Sequence, residues 1–266
     1  MNNAEFEKNR TAWNSFTAIH IHSGFYDLPA FLAGKNSLNE IELNLLGNIS
    51  GKKVLHLQCH FGQDSISLAR MGASVTGMDF SDAAIAQAKE LAEKTGADAT
   101  FICCNLYELP AHLSADFDLV FTSYGTIAWL PDLISWAAIV NRYLKPGGKF
   151  VFVEFHPVVW MFNNDFTEIA YPYMNAAKVV EVEQGTYADR DSDLKSETIT
   201  WNHGIGNVLS ALLETGLQIS SFQEFDYSPY PCFSGMLERE PGQFFIEKFG
   251  NKIPLVYAIT AWKPGA

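Results

Sequence analysis

Apolar and polar positions alternate in regular blocks through the middle of the chain. Val54-Leu55-His56-Leu57 has the length and composition of a short buried strand, and residues 64–71 follow at helical spacing, stopped by Gly72. Ser74-Val75-Thr76-Gly77-Met78 predicts a second strand. Ser81 caps a helix predicted to run to about Lys94 and to stop at Gly96. Thr100-Phe101-Ile102-Cys103 and Phe117-Asp118-Leu119-Val120-Phe121-Thr122 predict strands three and four. Asp132 caps the next helix, which ends before Lys145-Pro146-Gly147-Gly148, and Phe150-Val151-Phe152-Val153 predicts a fifth strand. Strands alternating with helices in this way imply βαβ units and a parallel sheet. Right-handed crossovers then put helices on both faces.

The flanks read differently. Phe6, Trp13, Phe16 and Ile19 predict a helix over residues 5–19. A loop from Gly24 to Gly34 and a short helix over 38–47 follow, so that residues 1–48 form a helical cap. Residues 156–200, rich in aromatic, Asn and acidic side chains, break the rhythm. We read them as an insertion with antiparallel strands at 169–173, 178–186 and 195–201, lying over the strand ends as a lid. A helix over 204–216 and strands over 218–226 and 255–262 complete the pattern, the last two as an antiparallel hairpin at one edge. The whole of 1–266 is expected to be one domain.

At 266 residues the chain is long enough to bury about 73% of its unfolded surface. With 48% hydrophobic and 18% charged residues, disorder is excluded. The net charge of −12 argues against nucleic acid and anionic membrane as partners. No apolar run has the roughly 18 residues that span a bilayer. The N-terminal residues lack the layout of a signal peptide, so a cytoplasmic location is expected. Cys59, Cys103, Cys104 and Cys232 form no C-x-x-C pair and are expected to be free thiols in a reducing compartment. No spacing typical of a metal site is present. A small-molecule substrate and a monomer or homodimer are expected.

In open α/β sheets ligands bind beyond the carboxyl ends of the strands. After strand one comes Gln58-Cys59-His60-Phe61-Gly62, leading into Ser65. Such a loop offers free N–H groups at a helix start. Strand two ends at Asp79, followed by Phe80 and Ser81. An acid about 20 residues past the loop typically accepts hydrogen bonds from ribose hydroxyls. Strand three leads to Asn105-Leu106, where a short amide suits an adenine edge. Strand four ends at Ser123-Tyr124-Gly125, and Gly125 permits close backbone approach.

In this order and spacing the segments resemble the motifs of class I S-adenosylmethionine-dependent methyltransferases. Val54 to Gly62 aligns with the first motif, Val75 to Ser81 with the second, Phe117 to Gly125 with the fourth, and Leu144 to Gly148 with the turn before strand five. The likeness covers about residues 50–155 well and 201–262 loosely. It implies a Rossmann-like, mostly parallel seven-stranded sheet, S-adenosylmethionine as cofactor and methyl transfer to a small molecule. Asp79 would hold the ribose. Asn105 and Phe80 would border the adenine. Gln58 to Gly62 and Ser123 to Gly125 would surround the methionine and the reactive centre.

The family's first motif carries an acid where His56 stands and glycines where Gln58 and His60 stand. The His56-Leu57-Gln58-Cys59 string, with Trp129 to Asp132, Glu154 to Pro157 and Trp201 to His203, resembles one bacterial branch of the family. His156 and His203 are the candidates for a catalytic base or substrate contact. A cofactor-binding protein without turnover is the alternative that the altered loop motivates. A nicotinamide-dependent reductase is the weaker one, because all three glycine positions of its fingerprint are occupied by other residues.

Overall fold

The computed structural model describes residues 3–174 and 177–265. The chain begins with α1 (Asn3–His20), α2 (Leu28–Leu32) and α3 (Glu40–Leu46). The alternating part comprises β1 (Lys53–Leu57), α4 (Gln63–Arg70), β2 (Ser74–Asp79), α5 (Asp82–Thr95), β3 (Ala99–Cys103), α6 (Leu109–His112), β4 (Phe117–Ser123), α7 (Leu133–Tyr143) and β5 (Leu144–Phe155). Next come β6 (Lys178–Gln184), β7 (Lys195–Trp201), α8 (Ile205–Glu214), β8 (Gln218–Phe225), β9 (Met236–Glu240), β10 (Gln243–Ile246) and β11 (Val256–Trp262).

Seven strands form one sheet in the order β3-β2-β1-β4-β5-β11-β8. The first five are parallel, and β11 runs antiparallel to both β5 and β8. This is the α/β architecture that the sequence predicts, with its antiparallel edge. Chain order reverses between β1 and β4, so the loops after these two strands flank the crevice where such sheets bind ligands.

Local chemistry sets the elements. Ser81 Oγ accepts from the Ala84 N–H at the start of α5, and Gly96 takes the left-handed conformation (φ 62°) that ends it. Along α5, Ala84, Ile85, Ala88, Leu91 and Ala92 are buried, one face of a 3.6-residue period. Asp132 caps α7 through the Ser135 N–H. Central strands are covered on both faces, so Val54 to Leu57 are all buried. Among the described residues no helix is long and apolar enough to cross a membrane.

Two expectations need correction. Residues 169–173 form no strand; Ile169 makes only an isolated bridge to Phe162. Pro172 removes a ladder N–H from that segment. Residues 236–246, left without an element in the sequence reading, form the β9–β10 hairpin around Pro241-Gly242. The β6–β7 hairpin stands apart from the main sheet. It is tied to α1 by a buried amide clasp: Asn9 Nδ2 donates to the Ile199 carbonyl (2.8 Å), and Ile199 N–H donates to Asn9 Oδ1 (2.9 Å). Lys8 pairs with Glu197 at the surface of the same contact.

Candidate active site

The loop after β1 places three alternate residues in the left-handed region: Gln58 (φ 53°), His60 (φ 50°) and Gly62 (φ 81°). A non-glycine residue there is strained by about 1–2 kcal/mol. The backbone thus keeps a glycine-type path although two glycines are gone. Packing demands the third: a Cβ on Gly62 would stand 2.8 Å from Phe101 Cζ and 2.9 Å from Ala88 Cβ.

Tertiary bonds hold the loop. Cys59 N–H donates to the Met78 carbonyl (2.9 Å) and His60 N–H to Asp79 Oδ2 (2.9 Å). Asp79 Oδ1 accepts from Ser81 N–H (2.9 Å). Burial raises the Asp79 carboxyl to about 6 against these donors, so it is largely ionised at neutral pH. Each of its oxygens keeps acceptor capacity for a further partner.

The loop after β4 is organised by Glu154, a residue to which its place in the sequence assigns no such role. Glu154, fully buried on neighbouring β5, accepts from the backbone N–H groups of Gly125, Thr126 (2.8 Å) and Ile127 (3.0 Å), and from its own neighbour Phe155 (2.7 Å). Burial raises its carboxyl while the four donors oppose that. Gln58 Nε2 donates to the Thr126 carbonyl (2.9 Å) and joins the two loops.

Both loops open on a cavity of about 930 Å³. Its walls also include Trp13 and Phe16 of α1, Phe25 and Tyr26, parts of the 159–202 segment and the loop 229–234. This volume lies in the range of small-molecule sites, roughly 300–1,000 Å³. Gln58, Phe80 and Trp129 separate it from a second cavity of about 20 Å³ that Asn105 and Leu106 line.

Four buried polar atoms near the first loop have no partner among the described residues: Trp13 Nε1, His20 Nε2, Gln58 Oε1 and His60 Nδ1. His20 Nδ1 and His60 Nε2 lie 3.0 Å apart and share one proton. Burial lowers His20 to about 3 and His60 well below its ordinary value, so both rings are neutral. A neutral pair sharing one hydrogen bond leaves one free donor and one free acceptor, whichever tautomer is present. With the Trp13 donor and the Gln58 acceptor, the cluster offers two of each. Such groups, left unpaired, cost about 1–3 kcal/mol apiece.

The predicted site residues divide into four groups. Gln58, Cys59, His60, Gly62, Asp79, Phe80, Ser123, Tyr124 and Gly125 meet on the large cavity. Asn105 and Leu106 lie behind Phe80 on the small one, where Asn105 Oδ1 accepts from Tyr107 N–H (3.1 Å). Ser65 and Ser81 face neither: Ser65 Oγ bonds His56 Nδ1 (2.8 Å), and Ser81 caps α5 and donates to Asn14 Oδ1 (2.7 Å). The histidines named as catalytic are not on the cavity wall. His156 Nε2 lies 3.0 Å from Glu224 Oε1, and its Nδ1 accepts from Val158 N–H (3.2 Å). His203 Nε2 donates to the Leu130 carbonyl (2.6 Å). Both serve as local braces, and burial lowers both pKa values.

Residues 54–148 match the family profile described as a methyltransferase domain. The chain is 37% identical over 136 residues to an uncharacterized methyltransferase of Synechocystis, covering 49% of this chain and 60% of that relative's length. It is 25% identical over 198 residues to the ubiquinone biosynthesis O-methyltransferase of Pseudomonas aeruginosa, covering 73% of this chain and 78% of the relative. A crystal structure of a putative S-adenosylmethionine-dependent methyltransferase from Listeria monocytogenes superposes with a TM-score of 0.60 at 21% identity, over 84% of this chain and 96% of that one. Residues 54–148 thus match a methyltransferase domain, and the chain has the fold seen in S-adenosylmethionine-dependent methyltransferases.

Proposed function

We propose that this protein transfers a methyl group from S-adenosylmethionine to a small molecule held in the large cavity. The observation that carries this is the glycine-type backbone at Gln58, His60 and Gly62. A loop that keeps this path against the strain of two large side chains is being held in it for a purpose. The unpartnered donors and acceptors beside it suit the hydroxyls, ammonium and carboxylate of such a cofactor. The His-Leu-Gln-Cys string supports placing the chain in the bacterial branch that carries it.

When bound, the cofactor supplies an electrophilic methyl on a sulfonium. The chain supplies orientation and exclusion of water. Asp79 holds ribose hydroxyls with its remaining acceptor capacity. Phe80 and Trp129, with Asn105 and Leu106 behind them, border the adenine. Gln58 to Gly62, Trp13 and the His20–His60 pair hold the methionine end. Ser123 to Gly125 face the reactive centre, kept in place by Glu154. The segment 156–200 acts as the lid, and Phe25 and Tyr26 close the site from the N-terminal side. A catalytic base is not required from His156, whose two nitrogens are engaged elsewhere, or from His203, whose Nε2 is held by the Leu130 carbonyl.

Incubation with methyl-labelled S-adenosylmethionine and the small-molecule filtrate of a bacterial extract tests the reading. Label is expected in a product that passes the filter. Label appearing only in protein or nucleic acid would refute a small-molecule acceptor, and no transfer with bound cofactor would favour the binding-only alternative.

A further inference from the structure

One end of the large cavity is both aromatic and acidic. Asp64, in the first turn of α4, lines it beside Ser123, whose Oγ donates to Asp64 Oδ2 (3.3 Å). Three phenols, Tyr26, Tyr124 and Tyr230, line the same cavity; burial raises the pKa of each, and neighbouring acidic groups raise them further, Tyr187 foremost for Tyr26, Glu42 for Tyr124 and Asp64 for Tyr230. All three are therefore neutral at physiological pH. The rings continue one another: Tyr124 to Tyr230 at 5.3 Å, Tyr230 to Phe25 at 5.5 Å and Phe25 to Tyr26 at 5.1 Å between centroids. The result is a carboxylate and a run of aromatic rings on the wall of one cavity.

The charges around the cavity have the same sign. Among the described residues five carboxylates line it against two cations, Lys35 and Arg190. Both cations are engaged: Lys35 with Asp27 (3.2 Å), and Arg190 with the Cys232 carbonyl (2.9 Å). An anionic acceptor would meet net repulsion here. An organic ammonium would gain the Asp64 charge and the ring faces together, each contributing more where water is excluded.

We infer that the acceptor is an organic amine, bound as its ammonium at Asp64 between Tyr26, Tyr124 and Tyr230. This rests on the methyl-transfer reading and names its substrate class. The nitrogen must lose one proton before its lone pair is free. The N–H bond breaks, an O–H bond forms on the Asp64 carboxylate, and the electron pair stays on nitrogen. Burial already raises the Asp64 carboxyl, which eases that transfer.

The test is thermal unfolding of the full chain saturated with S-adenosylhomocysteine, with three matched probes added singly: phenethylamine, 2-phenylethanol and 3-phenylpropionate. At ten times its Kd a probe adds roughly 3–6 °C. Only the amine is expected to raise the midpoint further. Asp64→Asn should remove that gain and keep the S-adenosylhomocysteine shift, which also shows that the variant folds. Tyr230→Phe should keep the gain and Tyr230→Leu should reduce it. Equal or larger shifts with the alcohol or the acid, or no shift with any probe, would overturn the inference. So would competition between the amine and S-adenosylhomocysteine, because Asp64 would then hold the cofactor's own ammonium. Absence of the S-adenosylhomocysteine shift itself would instead count against the methyl-transfer reading.

Discussion

The two loops that flank the crevice are held in opposite ways. After β4, the turn is satisfied: Glu154 takes three of its N–H groups, and Gly125 carries the left-handed backbone (φ 72°) without strain. After β1, the turn is strained: Gln58 and His60 stand where glycine would be relaxed, and polar atoms around them lack partners. The first arrangement is satisfied from within the chain, whereas the second keeps polar atoms unpaired among the described residues. Backbone strain clusters at functional sites, and here strain and unpaired groups fall together on one of two adjacent loops joined by Gln58.

Removing the organiser should break the satisfied loop hardest. Glu154→Ala strips the acceptor from four N–H groups, three of them buried. A loss of about 3–4 kcal/mol in urea unfolding is expected. A change under 1 kcal/mol would show that the loop holds itself.

A second buried carboxylate sharpens the contrast by pH. Glu42 accepts from Tyr124 Oη (3.0 Å) and Asn39 Nδ2 (3.1 Å), and burial raises it to about 7 from 4.5. The folded state keeps this proton longer than the unfolded one. Its stabilising share is full below about 4.5 and is lost as pH rises through about 7, roughly 3 kcal/mol in all. Glu42→Gln should flatten that part of the stability profile. An unchanged slope relative to wild type would refute the shift.

The glycines separate backbone strain from crowding. At Gly125 the nearest atom to an added Cβ is Phe155 Cε2 at 3.8 Å, so Gly125→Ala should cost only the conformational term, about 1 kcal/mol. At Gly62 the same change also drives Cβ into Phe101 and Ala88, and about 2–3 kcal/mol is expected. Equal losses would mean that crowding is relieved at no cost. The smallest effect is the most telling. His60→Gly should relieve left-handed strain and gain up to about 1 kcal/mol in stability while weakening cofactor binding. A loss of stability with unchanged binding would remove the functional reason for His60.

The parallel half of the molecule was legible because its strands are short apolar runs and its helices carry their own caps. The positions of Asp79, Gln58 to Gly62 and Ser123 to Gly125 followed from strand ends alone. What was not legible depends on neighbours in space. Glu154 matters because β5 lies beside β4 in the sheet, and nothing in its own surroundings along the chain says so. His156 and His203 do stand close to strand ends, but their side chains turn to Glu224 and to the Leu130 carbonyl. Asp64 looks like an ordinary acid in a first helical turn until Tyr124 and Tyr230 arrive from other parts of the chain. The β9–β10 hairpin carried a signal, Pro241-Gly242 at its turn, but β9 is mostly exposed and charged and β10 has only four residues, so neither shows a clear alternation.

The central claim is that the altered loop still binds the cofactor. Thermal unfolding with and without S-adenosylhomocysteine, on wild type and on Asp79→Ala, tests it most directly. A ligand at 100 times its Kd adds about 2.7 kcal/mol, roughly 5–10 °C for a chain of this size. The account predicts that shift for wild type and most of it lost in Asp79→Ala. A well-folded wild type that does not respond would contradict it.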